Sequence, residues 1–313
     1  MNILILLTIF IFFSSSKESL GVNIVGPFEF CGSENKYRIF RAGYITHLGR
    51  FHEVYKTCYD SQELTPFYTV HMINSVDEDK FYDNGFFYNR NFYKIDINEL
   101  YRNHTGKFMS LIPHQYEHFC GPRNYLERSH LTPRADFKME EDQCVIEHHI
   151  NTVPHFSSFI KGPWFQVEKF VRDKLAGNRN TTVITGVFGI LQLDRQQKNL
   201  APLELYLGEK VLPVPGLLWK VVIYHVGKYY NAVIFLGNIF SDDPVLSICH
   251  NICKNIEFQT VPGISCCYLY NLVEKDEKLD ADREKRLFRD GVRKVLLAVK
   301  EIREYFDLED VTL

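Results

Sequence analysis

Apolar and polar positions along this chain change over mostly in short runs of strand length. Phe67-Tyr68-Thr69-Val70-His71-Met72-Ile73 is rich in β-branched and aromatic residues. Together with the other short runs between Phe51 and Ile73, and the turn-forming residues around them, it predicts strands. Thr182 to Leu193 and Leu217 to Leu236 predict two or more further strands, with Gly186, Gly189 and Gly227 marking turns. Asp77 to Asn91 is rich in Asp, Asn and aromatic residues and predicts an exposed loop. Helical periods are fewer. Gly162 to Ala176 predicts a helix, because Trp164, Val167, Val171 and Leu175 fall on one face. Pro163 fits its first turn, where a missing N–H would be unpaired anyway. The longest helix is predicted from about Asp280 to Phe306. There Phe288, Val292, Val295, Val299, Ile302 and Phe306 alternate four and three apart. This stripe is read as a terminal helix packed on its own domain. A dimerising coiled coil is disfavoured, because the pattern falls short of the three to four heptads that would be diagnostic.

The front of the chain carries a different pattern. Ile3 to Phe13 is apolar apart from Thr8, and Ser14, Ser15 and Ser16 follow. The run is too short to span a bilayer and reads as a secretory signal peptide over residues 1–20. No later segment is apolar for long enough to cross a membrane. Residues 21–50 are expected to be an N-terminal extension, and 51–313 one domain ending in the terminal helix. The 313 residues and 45% hydrophobic content suffice for one large core or two small ones.

Export changes the reading of the cysteines. Cys31, Cys58, Cys120, Cys144, Cys249, Cys253, Cys266 and Cys267 are even in number and are expected to form disulfides. Their connectivity stays open. Cys249 and Cys253 with Cys266-Cys267 also allow a zinc reading, but adjacent cysteines in an oxidising compartment favour disulfides. Asn103-His104-Thr105 and Asn180-Thr181-Thr182 are candidate glycan acceptors. The net charge is −3, so no global positive field draws the chain to nucleic acid. Any polyanion site must be local. Arg123, Arg128, Arg134 and Lys138 could supply it, against the plainer reading of a solvated surface.

Candidate chemistry lies between Leu126 and Arg172. Leu126-Glu127-Arg128-Ser129-His130-Leu131-Thr132-Pro133-Arg134-Ala135-Asp136-Phe137 is followed by Asn151-Thr152-Val153-Pro154-His155. Lys161-Gly162-Pro163-Trp164-Phe165-Gln166-Val167-Glu168 and then Arg172 come next. Cutting a phosphodiester needs a base for water, a cation for the phosphate and help for the leaving oxygen. His130 is the natural base, since imidazole titrates nearest neutral pH. Glu168 and Arg172 are an i, i+4 pair sharing one helix face. Taken alone, that pair reads as a surface ion pair.

These motifs resemble the core of the DNA/RNA non-specific endonucleases, in a secreted animal branch, whose site is a ββα-metal finger. The family's Asp-Arg-Gly-His stands here as Glu127-Arg128-Ser129-His130. Asn151, Gly162, Trp164, Glu168 and Arg172 match at unchanged spacing, and Arg90 is a weaker match to an upstream catalytic Arg. Val54 to Asp60, Leu212 to Val222, Ile248 to Cys253 and Gly263 to Cys267 extend the match to roughly Phe51–Val273. The resemblance implies an α+β fold with a central, largely antiparallel sheet, flanking helices and a ββα-metal finger. It implies Mg²⁺-dependent hydrolysis of DNA or RNA, with His130 as general base. Arg128, Glu168 and Arg172 would hold phosphate, and Asn151 would support the metal shell. It also exposes a departure, because Ile160 stands where the family's metal-binding Asn belongs. An Ile offers no oxygen to an ion that demands oxygen ligands. Two functions therefore follow: a Mg²⁺-dependent secreted endonuclease, or an inactive relative that keeps a nucleic-acid or protein-binding surface.

Overall fold

The computed structural model describes residues 22–24, 31, 37–73, 126–176, 181–191, 204–207, 210–226, 229–239 and 250–269. Their centre is an eight-stranded sheet in the order β1-β2-β3-β4-β7-β10-β11-β12. The strands are β1 (Val22–Ile24), β2 (Tyr37–Ile45), β3 (Phe51–Asp60), β4 (Thr65–Ile73), β7 (Thr181–Ile190), β10 (Pro215–Val226), β11 (Tyr229–Gly237) and β12 (Ile264–Tyr268). Every neighbouring pair is antiparallel. Two further strand pairs stand apart: β5 (Leu126–His130) with β6 (Thr152–Phe156), and β8 (Glu204–Leu207) with β9 (Lys210–Pro213). The α+β class with a large antiparallel sheet is the one expected.

Strand β10 shows why the sheet is central. Successive side chains of a strand point to opposite faces. Leu217, Trp219, Val221 and Ile223 enter one apolar cluster, while Leu218, Val222 and Tyr224 enter another. Both faces are covered, so the strand is buried almost end to end. The second cluster receives the helical run α2. This run is built from Ser157–Phe159, Ile160–Trp164, Phe165–Phe170 and Val171–Ala176. Trp164, Val167, Val171 and Ala176 form its buried face. The helix begins at Ser157, ahead of the predicted start. The backbone kinks at Gly162 (φ −107°, ψ −107°), and Pro163 follows the kink inside the run. The proline thus starts a second stretch of helix in mid-run.

The structure corrects three expectations. The boundary at residue 50 is not one, because β1 and β2 belong to the central sheet, and β2 pairs with β3 from Tyr37 to Ile45. Gly186 is not a turn residue. It lies within β7, where a Cβ would stand 2.2 Å from the Trp219 ring, so the glycine leaves room for the indole. Cys144 is a thiol in the short helix α1 (Glu140–Ile146), not half of a disulfide. The half-cystines around it are committed elsewhere. Cys31–Cys58 and Cys253–Cys266 are disulfides, and Cys267 is disulfide-bonded as well. The zinc reading of these C-terminal cysteines is thereby overturned. Arg90, Asn103, Cys120, Asn180, Cys249, the loop from Asp77 to Asn91, the signal segment and the C-terminal helix lie outside the described residues.

Candidate nuclease site

The site is carried by the β5–β6 ribbon and the helix that follows it. Register pairs His130 with Thr152, Ser129 with Val153 and Glu127 with His155. Two strands and a helix in sequence give the expected ββα arrangement. Leu126 and Ser129 are buried, while Glu127, Arg128 and His130 are partly exposed. The ribbon is tied to the sheet by Thr132 Oγ1 donating to Thr69 Oγ1 (2.9 Å) and Thr57 Oγ1 donating to the Ile150 carbonyl (3.1 Å).

Asn151 braces the ribbon from within. It is fully buried. Its Oδ1 accepts the Thr132 N–H at 2.8 Å, and its Nδ2 donates to the carbonyls of Thr132 (2.9 Å) and Ile146 (3.1 Å). The side chain the resemblance placed in the metal shell thus fixes the turn after His130. The amide acts on the backbone, and its oxygen is engaged by an N–H.

A carboxylate absent from the sequence reading joins His130 and Arg134 at this turn. Glu147 closes α1 and is 2% exposed. Its Oε2 lies 3.4 Å from His130 Nε2, and its Oε1 lies 3.0 Å from Arg134 Nη1. His149 stands close by. Burial, then the charges of Arg128, His148 and His130, hold its imidazole well below the usual range. Burial also pushes His148 down to about 4.

Behind the ribbon sits a buried charged group. Asp136, in the 3-10 turn Arg134–Asp136, accepts from Arg172 Nη1 at 3.1 Å and contacts His71 Nε2 at 2.8 Å. Burial favours its neutral form, but His71, Arg172 and Lys220 outweigh this and hold the carboxyl below its ordinary range. Lys220 is 1% exposed, bonds Thr185 Oγ1 and lies 5.7 Å from the Trp164 ring centre. Burial lowers its pKa against the pull of Glu168 and Asp136. Glu168 is pushed up to about 7, chiefly by burial and further by Asp136, while Lys220 and Arg172 work against the rise. Glu168 and Arg172 do share a helix face, yet the Arg172 guanidinium points into the protein, at Asp136. A lone Lys in the apolar run Leu217–Ile223 was the readable signal for Lys220. Nothing local distinguishes Glu147 from the acids Glu140, Glu141 and Asp142 that precede it.

The residues present do not fit a Mg²⁺ held in the family's manner. Ile160 packs its apolar side chain against the second core cluster. Glu127, the nearest alternative on the ribbon, accepts the Lys161 ammonium at 2.7 Å. Ser157 is buried. Among the described residues, no group of three or more His, Cys, Asp or Glu could hold a metal ion.

Two sequence comparisons with known proteins agree on the class. The family model for DNA/RNA non-specific endonucleases matches residues 33–268. This chain belongs to that family. A salivary endonuclease of Lutzomyia longipalpis is 32% identical over 281 residues, covering 84% of this chain and 66% of the relative. The chain thus spans about two thirds of that relative's length. A solved complex of EndoG with EndoGI is similar at 16% identity and a TM-score of 0.38, over 60% of this chain and 72% of that one.

Proposed function

We propose that this chain is a secreted, nucleic-acid-binding member of its family whose Mg²⁺-dependent hydrolysis is strongly weakened. The observation that carries this reading is Ile160. An apolar side chain seated on the core occupies the position where the resemblance calls for an oxygen ligand. Mg²⁺ takes few protein ligands, so loss of one removes much of what fixes the ion. His130 keeps the role of general base toward water, and Arg128 the role of a phosphate contact. Glu168 and Arg172 shape the floor beside them, and Arg90 belongs with the phosphate contacts by resemblance alone. The signal segment, the disulfides and the salivary relative support an extracellular setting. Among the described residues no helix is long and apolar enough to cross a membrane.

The second reading is a fully active endonuclease, favoured by the retained His130 and its acidic neighbour Glu147. Digestion of plasmid DNA and double-stranded RNA, with Mg²⁺ and with EDTA, separates the two. The weakened reading expects binding at low salt and cleavage near background. Chelator-sensitive turnover on the order of 1–10³ per second, the range of ordinary enzymes, would overturn it.

A further inference from the structure

We propose that Arg134 is a phosphate clamp of this site, holding a phosphate of the strand presented to His130 and itself held in place by Glu147. This deepens the nucleic-acid-binding reading and rests on it.

The argument begins with the geometry of one guanidinium. Arg134 begins the 3-10 turn after β5, directly after Pro133. Its Nη1 faces Glu147 Oε1 at 3.0 Å. Its Nε and Nη2 are buried and have no hydrogen-bond partner. Those two nitrogens present parallel N–H groups along one edge of the plane. That edge is the two-pronged fork that matches two oxygens of a phosphate. A buried donor without an acceptor is rare in native proteins, and a missing water, ion or ligand is the usual explanation. Here two such donors lie side by side on a cation.

The surroundings fit an anion. Glu147 bridges Arg134 and His130, so guanidinium and imidazole are close neighbours. Arg128 also acts on this corner, since its charge and that of His130 both bear on His149. Two arginines against one buried carboxylate leave a local positive balance in a chain of net charge −3. Glu147 has a separate duty. By pairing with Nη1 it draws that end of the guanidinium towards itself and leaves the unpaired Nε and Nη2 on the other edge. A clamp oriented beforehand loses less freedom when it closes on its ligand.

The test is binding of a labelled DNA duplex and a labelled RNA duplex by fluorescence anisotropy, in EDTA, over a series of salt concentrations. The variants are Arg134→Lys, Arg134→Gln and the double variant Arg134→Gln with Glu147→Gln. The double variant removes both buried charges together and guards against a single variant that fails to fold. Thermal melts report the fold. Arg134→Gln, or the double variant, should reduce the slope of log affinity against log salt by about 0.9, the loss of one phosphate contact. Arg134→Lys should keep the slope and weaken binding by about tenfold, the scale of one charge-assisted hydrogen bond. Folded variants that bind with unchanged affinity and slope would overturn the clamp and leave the nucleic-acid reading standing. In that case the buried edge has another role than phosphate binding. An unaltered protein that binds neither duplex at low salt would overturn both.

Discussion

Arg172 reaches back 36 residues to Asp136, and the two meet at 3.1 Å inside the protein. This contact joins the helix α2 to the turn that follows His130. Both groups are buried, so each depends on the other for its charge. Breaking a buried pair from one side strands the partner and costs roughly 3–5 kcal/mol. Asp136→Leu is therefore expected to lower unfolding stability by about that amount, read from urea melts. Asp136→Leu combined with Arg172→Met should recover a substantial part of the loss. A double variant no more stable than the single one would show that the pair is not the link.

Acid should destabilise the fold before carboxylates protonate. Burial holds His148 down to about 4 and His155 down to about 3, and His71 and His149 are lowered too. In the unfolded chain each binds a proton near pH 6.5. The unfolded state thus takes up more protons as pH falls, and stability drops from about pH 6.5 towards about pH 3. Glu168 works in the opposite sense. Its carboxyl titrates at about 7 when folded, so it loses stability as pH rises from the ordinary carboxylate range through 7. Asp142 is raised as well and acts with Glu168, while the lowered Asp136 acts with the four histidines, so the net slope is positive with pH. Denaturant midpoints at pH 7, 6, 5 and 4 should fall steadily, and a flat profile would contradict the buried neutral imidazoles.

Ile160→Asn is expected to raise Mg²⁺-dependent cleavage of plasmid DNA well above the starting protein. The amide returns an oxygen at the position the resemblance assigns to the metal. In that background, His130→Ala should lower cleavage by about 10²–10⁴, the usual contribution of a general base. If a folded Ile160→Asn protein stays at background, Ser129 or Glu127 shares the defect.

Gly186→Ala should be strongly destabilising for a surface-sized change. The new methyl would stand 2.2 Å from the Trp219 ring and 2.7 Å from the Phe67 carbonyl. Overpacking of this kind costs about 1–3 kcal/mol. A shift of the thermal midpoint by several degrees would report it.

Much of the sheet was legible because strand periodicity is local. Phe67 to Ile73 lies in β4, Thr182 to Ile190 in β7, and Leu217 to Val226 and Tyr229 to Leu236 in β10 and β11. The face of α2 was legible for the same reason, with Trp164, Val167 and Val171 inward. Gly186 was misread because its neighbour Trp219 lies on another strand, and no window of sequence contains both. His130, Glu168 and Arg172 were singled out by the family resemblance. Their partners were not. Asp136 and His71 meet across 65 residues, and Glu147 meets Arg134 and His130 across a turn that only the Asn151 brace creates. Roles followed the same divide. Spacing could place Arg172 on the face of Glu168, but only packing turns its guanidinium inward.

The ribbon that bears His130 is a two-stranded sheet of its own, while the large sheet is closed over by apolar clusters on both sides. The ribbon and the large sheet are therefore separate hydrogen-bonded units, joined through side chains. Glu127, Ser129 and Ile160, the positions that depart from the family pattern, lie on the ribbon and its helix, outside the large sheet. Of these, Ile160 packs on the second apolar cluster, so a change there is felt by the core as well as by the site. A substitution at a partly exposed ribbon position such as Glu127 leaves every hydrogen-bonded ladder of the large sheet paired.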